Sequence, residues 1–285
     1  MRVSHVPALP EDVTAVVAAI RAMQGEPPVL PADADLTPHL PDLGTWVTAP
    51  EGAGRPGVVL YVHGGGFEYA NPGLERIVAY RLSQVARRPA LRVEYRLAPA
   101  HPYPAALDDV LAVYRGLIDR GVAASEIILA GESAGATLLL SAVQVLRDAG
   151  DALPAGVVAI SPQTDLTLSS LSIEVNDGKD FVGRAILDHV RTQYLAGAPA
   201  DRGPQSPLHG KLSGLPPLLL VVGSAEVMLD DSLRFAEAAD AAGVSVALDV
   251  YEGMPHAFHA TMLPATPLPV ATTLSHQINE WIFRD

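Results

Sequence analysis

The chain is 285 residues long, 49% hydrophobic and 18% charged, with a formal net charge of -13. This balance buries a large core and excludes a disordered chain, while the acidic excess disfavours nucleic acid and anionic membranes as partners and favours small neutral molecules. Cysteine is absent, which excludes a disulfide framework, a thiolate zinc site and a cysteine nucleophile, and is compatible with a reducing compartment.

In chain order, the first pattern is Val13 to Ile20, an apolar stretch behind Glu11 and Asp12 that reads as an amphipathic helix. It is short and has no cleavage-site pattern, so it is not read as a signal peptide. The longest apolar runs, such as Leu218 to Val222, fall far below the roughly 20 residues needed to span a bilayer. A cytoplasmic chain without stable membrane insertion is therefore expected. From about Gly57, short apolar runs alternate with longer amphipathic stretches, the pattern of an α/β fold whose mostly parallel central sheet is flanked by helices. The runs predict strands over Gly57 to His63, Ala90 to Tyr95, Ile127 to Gly131, Gly156 to Ser161, Leu218 to Gly223 and Ser245 to Tyr251. Between and after them, the spacing predicts helices over Leu74 to Ala86, Ala105 to Arg120, Ala134 to Ala149, Asp230 to Ala242 and Pro269 to Phe283. Two regions break the alternation: the Pro-rich opening through about Pro41, and the polar stretch Leu166 to Leu208, which contains an apolar-periodic piece, Phe181 to Leu195. A lid over the site and ordinary surface packing account for them equally well.

The sharpest local signal is Gly131-Glu132-Ser133-Ala134-Gly135, a G-x-S-x-G pattern between a strand and a helix. A serine on so sharp a turn projects its hydroxyl above the sheet, and the glycines remove Cβ atoms that would clash there. His63-Gly64-Gly65-Gly66-Phe67, at the end of the first buried strand, exposes backbone N–H groups that suit an oxyanion hole. A phosphate loop is disfavoured, because Phe67, Glu68 and Tyr69 follow where G-K-[ST] would stand. A serine hydroxyl needs a histidine to take its proton and a carboxylate to orient that histidine. Glu226, after the run Leu218 to Gly223, stands where an acid reaches a neighbouring loop. Asp230 and Asp231 compete with it, but they open a helical run and suit an N-cap and first-turn charge. His256 and His259 follow the last strand, and spacing does not choose between them. No H-E-x-x-H or carboxylate cluster accompanies them, so no metal and no cofactor is expected.

With these residues assembled, the chain after about Trp46 resembles the hormone-sensitive-lipase-like family of bacterial esterases within the α/β-hydrolase superfamily. The likeness rests on His63 to Gly66, Tyr95-Arg96-Leu97-Ala98-Pro99, Pro102-Tyr103-Pro104-Ala105, Gly131 to Gly135, Ser206-Pro207-Leu208, Gly223 to Asp231 and Met254 to Phe258. It implies an α/β-hydrolase fold with a small helical cap: an N-terminal cap segment, 1–45, and a catalytic domain, 46–285, carrying a cap insertion at about 166–208. It also implies Ser133 as nucleophile, Glu226 as acid, His256 rather than His259 as base, and the amides of Gly64, Gly65 and Ala134 as oxyanion hole. The chain departs from the family by carrying Glu132 and Glu226 where Asp is common, Glu94 in place of Asp, and Ala100 in place of Glu.

The expected reaction is hydrolysis of a small neutral ester of short to medium acyl length through a serine acyl-enzyme. Its acid limb should lie near the ordinary histidine value of about 6.5. An apolar pocket is expected, with Phe67, Tyr69, Phe181 and Tyr194 as walls. Lactone or amide hydrolysis by the same residues is the rival within enzymes, and a non-catalytic small-ligand receptor is the rival outside them. An exposed sheet edge makes a homodimer plausible by resemblance.

Overall fold

A computed structural model describes residues 1–22, 27–39 and 44–284. Parts of the Pro-rich opening, 23–26 and 40–43, lie outside the described residues. The described elements run β1 (Arg2–Val6), α1 (Pro10–Ala22), β2 (Asp35–His39), β3 (Gly44–Thr48), β4 (Val58–Val62), α2 (Pro72–Ala86), β5 (Ala90–Val93), α3 (Ala105–Asp119), β6 (Ile127–Glu132) and α4 (Ala134–Ala149). They continue with β7 (Gly156–Ile160), α5 (Leu171–Val175), α6 (Arg184–Leu195), β8 (Leu218–Gly223), α7 (Leu229–Ala241), β9 (Val246–Tyr251) and α8 (Pro269–Ile282).

These strands form one sheet in the order β1-β9-β8-β7-β6-β4-β5-β3-β2, parallel except at the β5/β3 and β3/β2 pairs. The six strands legible as apolar runs are its contiguous centre, buried on both faces. Side chains alternate between those faces. Leu60, Leu129, Leu220 and Leu248 pack with α3, α4 and α7 on one face, and Val59, Ile128, Leu219 and Val221 pack with α1, α2 and α8 on the other. In α4, Leu138, Leu139 and Leu140 are fully buried, each worth about 1.5–3 kcal/mol of burial.

Sequence patterning missed the edge strands β1 and β2 and the strand β3 beside β2. In β1 the residues alternate between exposed and partly buried, and β2 contains Pro38, which only an edge strand accommodates. The opening segment contributes to the sheet itself. It adds β1 to one edge beside β9 and β2 to the other beside β3, while α1 packs on the turn Phe258–Met262.

The chain changes sides at β4: β5 lies on one flank, and β6, next in sequence, lies on the other. This reversal opens a crevice at the carboxyl ends of β4 and β6. Their register pairs Val62 with Gly131 and so brings the His63–Gly66 loop beside Ser133. The junction is too tight for side chains: a Cβ on Gly135 would lie 2.1 Å from the Val62 carbonyl oxygen and 2.5 Å from that of His63. Gly135→Ala is expected to lower stability to urea unfolding by about 3 kcal/mol, because two backbone segments would have to part.

Candidate active site

Ser133 sits between β6 and α4 with φ 52° and ψ -123°, a backbone conformation that costs a non-glycine residue about 1–3 kcal/mol. Two bonds hold it: its N–H donates to the Ile160 carbonyl (2.8 Å), and its own carbonyl accepts from the Thr137 N–H (3.0 Å). Its hydroxyl projects into a cavity of about 460 Å³, 3.1 Å from His256 Nε2. His256 Nδ1 lies 2.9 Å from Glu226 Oε2. Of the two histidines that spacing left open, His256 is the one joined to both Ser133 and Glu226.

Glu226 is completely buried, and the extra methylene relative to aspartate is accommodated at its second oxygen. Oε1 accepts from Ser161 Oγ (2.7 Å) and from the Gly223 N–H (2.6 Å), leaving Oε2 for the imidazole. Burial alone would lower the His256 pKa. The Glu226 hydrogen bond and charge, reinforced by Asp180 and Glu132, outweigh it and hold His256 above its ordinary value. Asp180 also ties the two loops together, accepting from the His256 N–H (2.7 Å) through Oδ1 and from the Val227 N–H (2.9 Å) through Oδ2. Nothing in the sequence marked Ser161 or Asp180, because both act from segments distant in the chain.

Asp230 and Asp231 are engaged elsewhere. Both lie in the first turn of α7, but Met228 is its N-cap, and both carboxylates face the segment after β7 instead. Asp231 accepts from the N–H groups of Thr164 and Asp165 at 2.7 and 2.8 Å, and Asp230 accepts from the Ser172 N–H at 2.8 Å.

The glycine loop is fastened from below and behind. Tyr95 Oη donates to the His63 carbonyl (3.0 Å), and the Ala98 N–H donates to the Phe67 carbonyl (2.9 Å). Arg96, between them, forks onto Asp109. The Tyr95-to-Pro99 motif thus acts as a buttress for the loop. The expected oxyanion donors are not equivalent. The Gly64 N–H donates to Glu132 Oε1 at 2.8 Å, and Tyr61 Oη donates to the same oxygen at 2.8 Å. A carboxylate buried there needs donors, and Gly64 is one of them. The amides of Gly65 and Ala134 have no acceptor among the described residues. Burial pushes the Glu132 pKa up to about 8 against the pull of those two hydrogen bonds.

Phe67 and Tyr69 line the cavity, as expected. Tyr194 does not: it stacks behind Phe67 with ring centroids 3.8 Å apart. Phe181 is outside the lining as well. The apolar wall comes instead from Val182, Ile186, Leu187 and Val190, at and in α6, together with Met228. A Cβ on Gly66 would meet Val190 at 2.9 Å, so α6 rests directly on the glycine loop. None of the described residues of 1–45 lines the cavity. Among the described residues, no group of three or more His, Asp or Glu side chains is placed to hold a metal ion, and no helix is long and apolar enough to cross a membrane.

Residues 59–260 match the family model described as alpha/beta hydrolase fold. The chain belongs to the α/β-hydrolase family. Within that family it is 39% identical over 215 residues to an acetyl-hydrolase of Streptomyces hygroscopicus, covering 75% of this chain and 71% of the relative. It is 38% identical over 244 residues to the carboxylesterase/phospholipase LipF of Mycobacterium tuberculosis, covering 83% of this chain and 64% of the relative, just under two thirds of that protein's length. A crystal structure of an esterase from the bacterial hormone-sensitive lipase family superposes with a TM-score of 0.88 at 31% identity, covering 97% of this chain and 98% of that one. The sequence resemblance to that esterase family therefore holds at the level of fold.

Three outcomes are expected of this hydrolase site. Activity should fall as pH drops through a His256 pKa lying above about 6.5, because the protonated imidazole accepts no proton. In Glu226→Gln the main raising influence is gone, so the acid limb should move to lower pH while kcat falls about 10³–10⁴-fold, as read from pH–rate profiles. Glu132→Ala, which leaves the donors of Gly64 and Tyr61 unpaired, should lower kcat/KM about tenfold or more, with Glu132→Gln recovering most of it because an amide oxygen still accepts.

Proposed function

We propose that the chain is a carboxylic ester hydrolase that works through an acyl-enzyme on Ser133. The observation that carries this reading is the continuous line Ser133 Oγ, His256 Nε2, His256 Nδ1, Glu226 Oε2, with spacings of 3.1 and 2.9 Å, at the floor of a largely apolar cavity. As Ser133 Oγ attacks the ester carbonyl carbon, His256 takes its proton and Glu226 offsets the imidazolium charge. We assign the oxyanion to the amides of Gly65 and Ala134, with Gly64 held by Glu132. His256 then returns its proton to the departing alcohol, and water, activated by the same imidazole, releases the acid.

In this reading residues 166–208 serve as the cap, supported by the α6 side chains in the cavity wall, while residues 1–45 serve chiefly as edge strands and as a prop for the turn after His256. The cavity suits short to medium acyl groups. A cytoplasmic setting accords with a chain free of cysteine, and a homodimer accords with open sheet edges at β1 and β2.

The test is hydrolysis of p-nitrophenyl esters from acetate to palmitate by the wild type and by Ser133→Ala. Wild-type turnover that peaks at short to medium chains and disappears in the variant is expected. Turnover by both proteins would remove Ser133 from its assigned role, and turnover by neither would leave a ligand receptor as the better reading.

A further inference from the structure

Beyond the ends of β8 and β9 the sheet no longer fixes the spacing between Glu226 and His256. Its last register pair there is Gly223 with Tyr251. The near parts of the two loops are tied to each other: the Ser224 N–H donates to the Tyr251 carbonyl (2.9 Å), the Ala225 N–H to the Met254 carbonyl (3.2 Å), and the Gly253 N–H to Ser224 Oγ (2.8 Å). The far parts, Glu226-Val227 and Pro255-His256-Ala257, share no backbone hydrogen bond among the described residues. They are spanned by the contact of Glu226 with His256 and by the carboxylate of Asp180, whose two oxygens take the His256 N–H (2.7 Å) and the Val227 N–H (2.9 Å).

The loop around His256 needs that outside hold. Ala257, the next residue, has φ 67° and ψ 14°, a left-handed conformation that alanine disfavours. Among the described residues, Asp180 is the only group that hydrogen-bonds the His256 backbone. Asp180 is itself seated by its own segment, since Oδ1 also accepts from the Phe181 N–H (2.7 Å). One turn earlier, Asn176 Nδ2 donates to the Glu226 carbonyl (2.8 Å). Two side chains of one turn thus grip the loop of Glu226, and one of them reaches across to His256. An ionised carboxylate with an N–H on each oxygen holds more firmly than a neutral acceptor would.

Resting on the ester-hydrolase reading, we propose that Asp180 is a positioning residue: by bridging the backbones of Val227 and His256, it holds the imidazole at bonding distance from both Glu226 and Ser133. Asp180 lies outside the cavity lining, so it acts through His256 and not on the substrate. A displacement of His256 by about 1 Å is enough to lower turnover about 10²-fold.

The test measures kcat, KM and the pH–rate profile for p-nitrophenyl butyrate in the wild type, Asp180→Asn and Asp180→Ala, each rate divided by the folded fraction read from circular dichroism. Asp180→Asn keeps the shape and one acceptor oxygen but turns an NH2 group towards the second N–H, whereas Asp180→Ala removes both acceptors. kcat and kcat/KM should fall together, about tenfold in Asp180→Asn and about 10²-fold in Asp180→Ala, with KM within about threefold of the wild type, the pattern of lost alignment at the reacting atoms. Asp180 helps Glu226 and Glu132 to hold the His256 pKa up, and the neighbouring His259 is neutral. The acid limb should therefore move to lower pH in both variants, and by less than in Glu226→Gln. Wild-type kcat in folded Asp180→Asn overturns the proposal, even if Asp180→Ala does not fold. A raised KM with kcat unchanged overturns it too, because Asp180 would then only shape the pocket. A wild type that leaves the ester intact removes the ester-hydrolase reading and the proposal with it, whereas wild-type turnover that both variants match leaves that reading standing and removes only the role of Asp180.

Discussion

The site hangs on one unfavourable backbone conformation, the positive φ of Ser133. No local preference of serine supports it, so the surroundings must impose it. The last turn of β6 is held by β7 through the Ile160 carbonyl, and α4 is anchored by a fully buried face. Gly135 lets the start of that helix press against the end of β4. The strain of about 1–3 kcal/mol is small beside the apolar burial of α4, which fixes where the chain must go after the turn. The reward is geometric: a hydroxyl that stands clear of the sheet, next to the first amide of a helix, and beside a glycine loop brought there by strand register.

Charge around that hydroxyl is arranged in two separate carboxylates with different tasks. Glu226 is buried and shares three hydrogen bonds, with Ser161, Gly223 and His256, so it is fixed against the imidazole. Glu132, one residue before Ser133, binds backbone and phenol instead and is pushed towards neutrality by burial. Its work is positional, since it fixes the first glycine of the loop. The distinction matters because a carboxylate facing the reacting oxyanion would oppose the charge that develops there.

Selectivity belongs to another layer of the structure. The segment between β7 and β8 leaves the sheet, runs through α5 and α6, and returns. It is tied down by the buried Asp231 and by Asp180, whose carboxylate spans the loops of Glu226 and His256. The same segment that supplies the apolar wall thus also braces the loops of Glu226 and His256, coupling pocket shape to the alignment of His256.

Much of this was legible in the sequence for a definite reason. The six central strands are buried on both faces and read as unbroken apolar runs, and the major helices show their buried stripe as a 3.6-residue period. The outer strands β1, β2 and β3 were not legible, because a half-exposed strand carries mixed residues and its pairing is decided by what lies beside it. Ser133 and the glycine loop were marked by local backbone demands, which sequence records directly. Choosing His256 over His259, Glu226 over Asp230 and Asp231, and Gly65 over Gly64 as a free donor needed the fold. So did finding Ser161 and Asp180. The sequence by itself determined the α/β class, the position of the sharp serine turn and the set of candidate partners, since these depend on periodicity and on turn sterics within a few residues. Only the tertiary structure decided which partners meet, because hydrogen bonds join Ser133 to His256 across 123 positions of the chain, and their strength depends on distances of a few ångströms that no local pattern encodes.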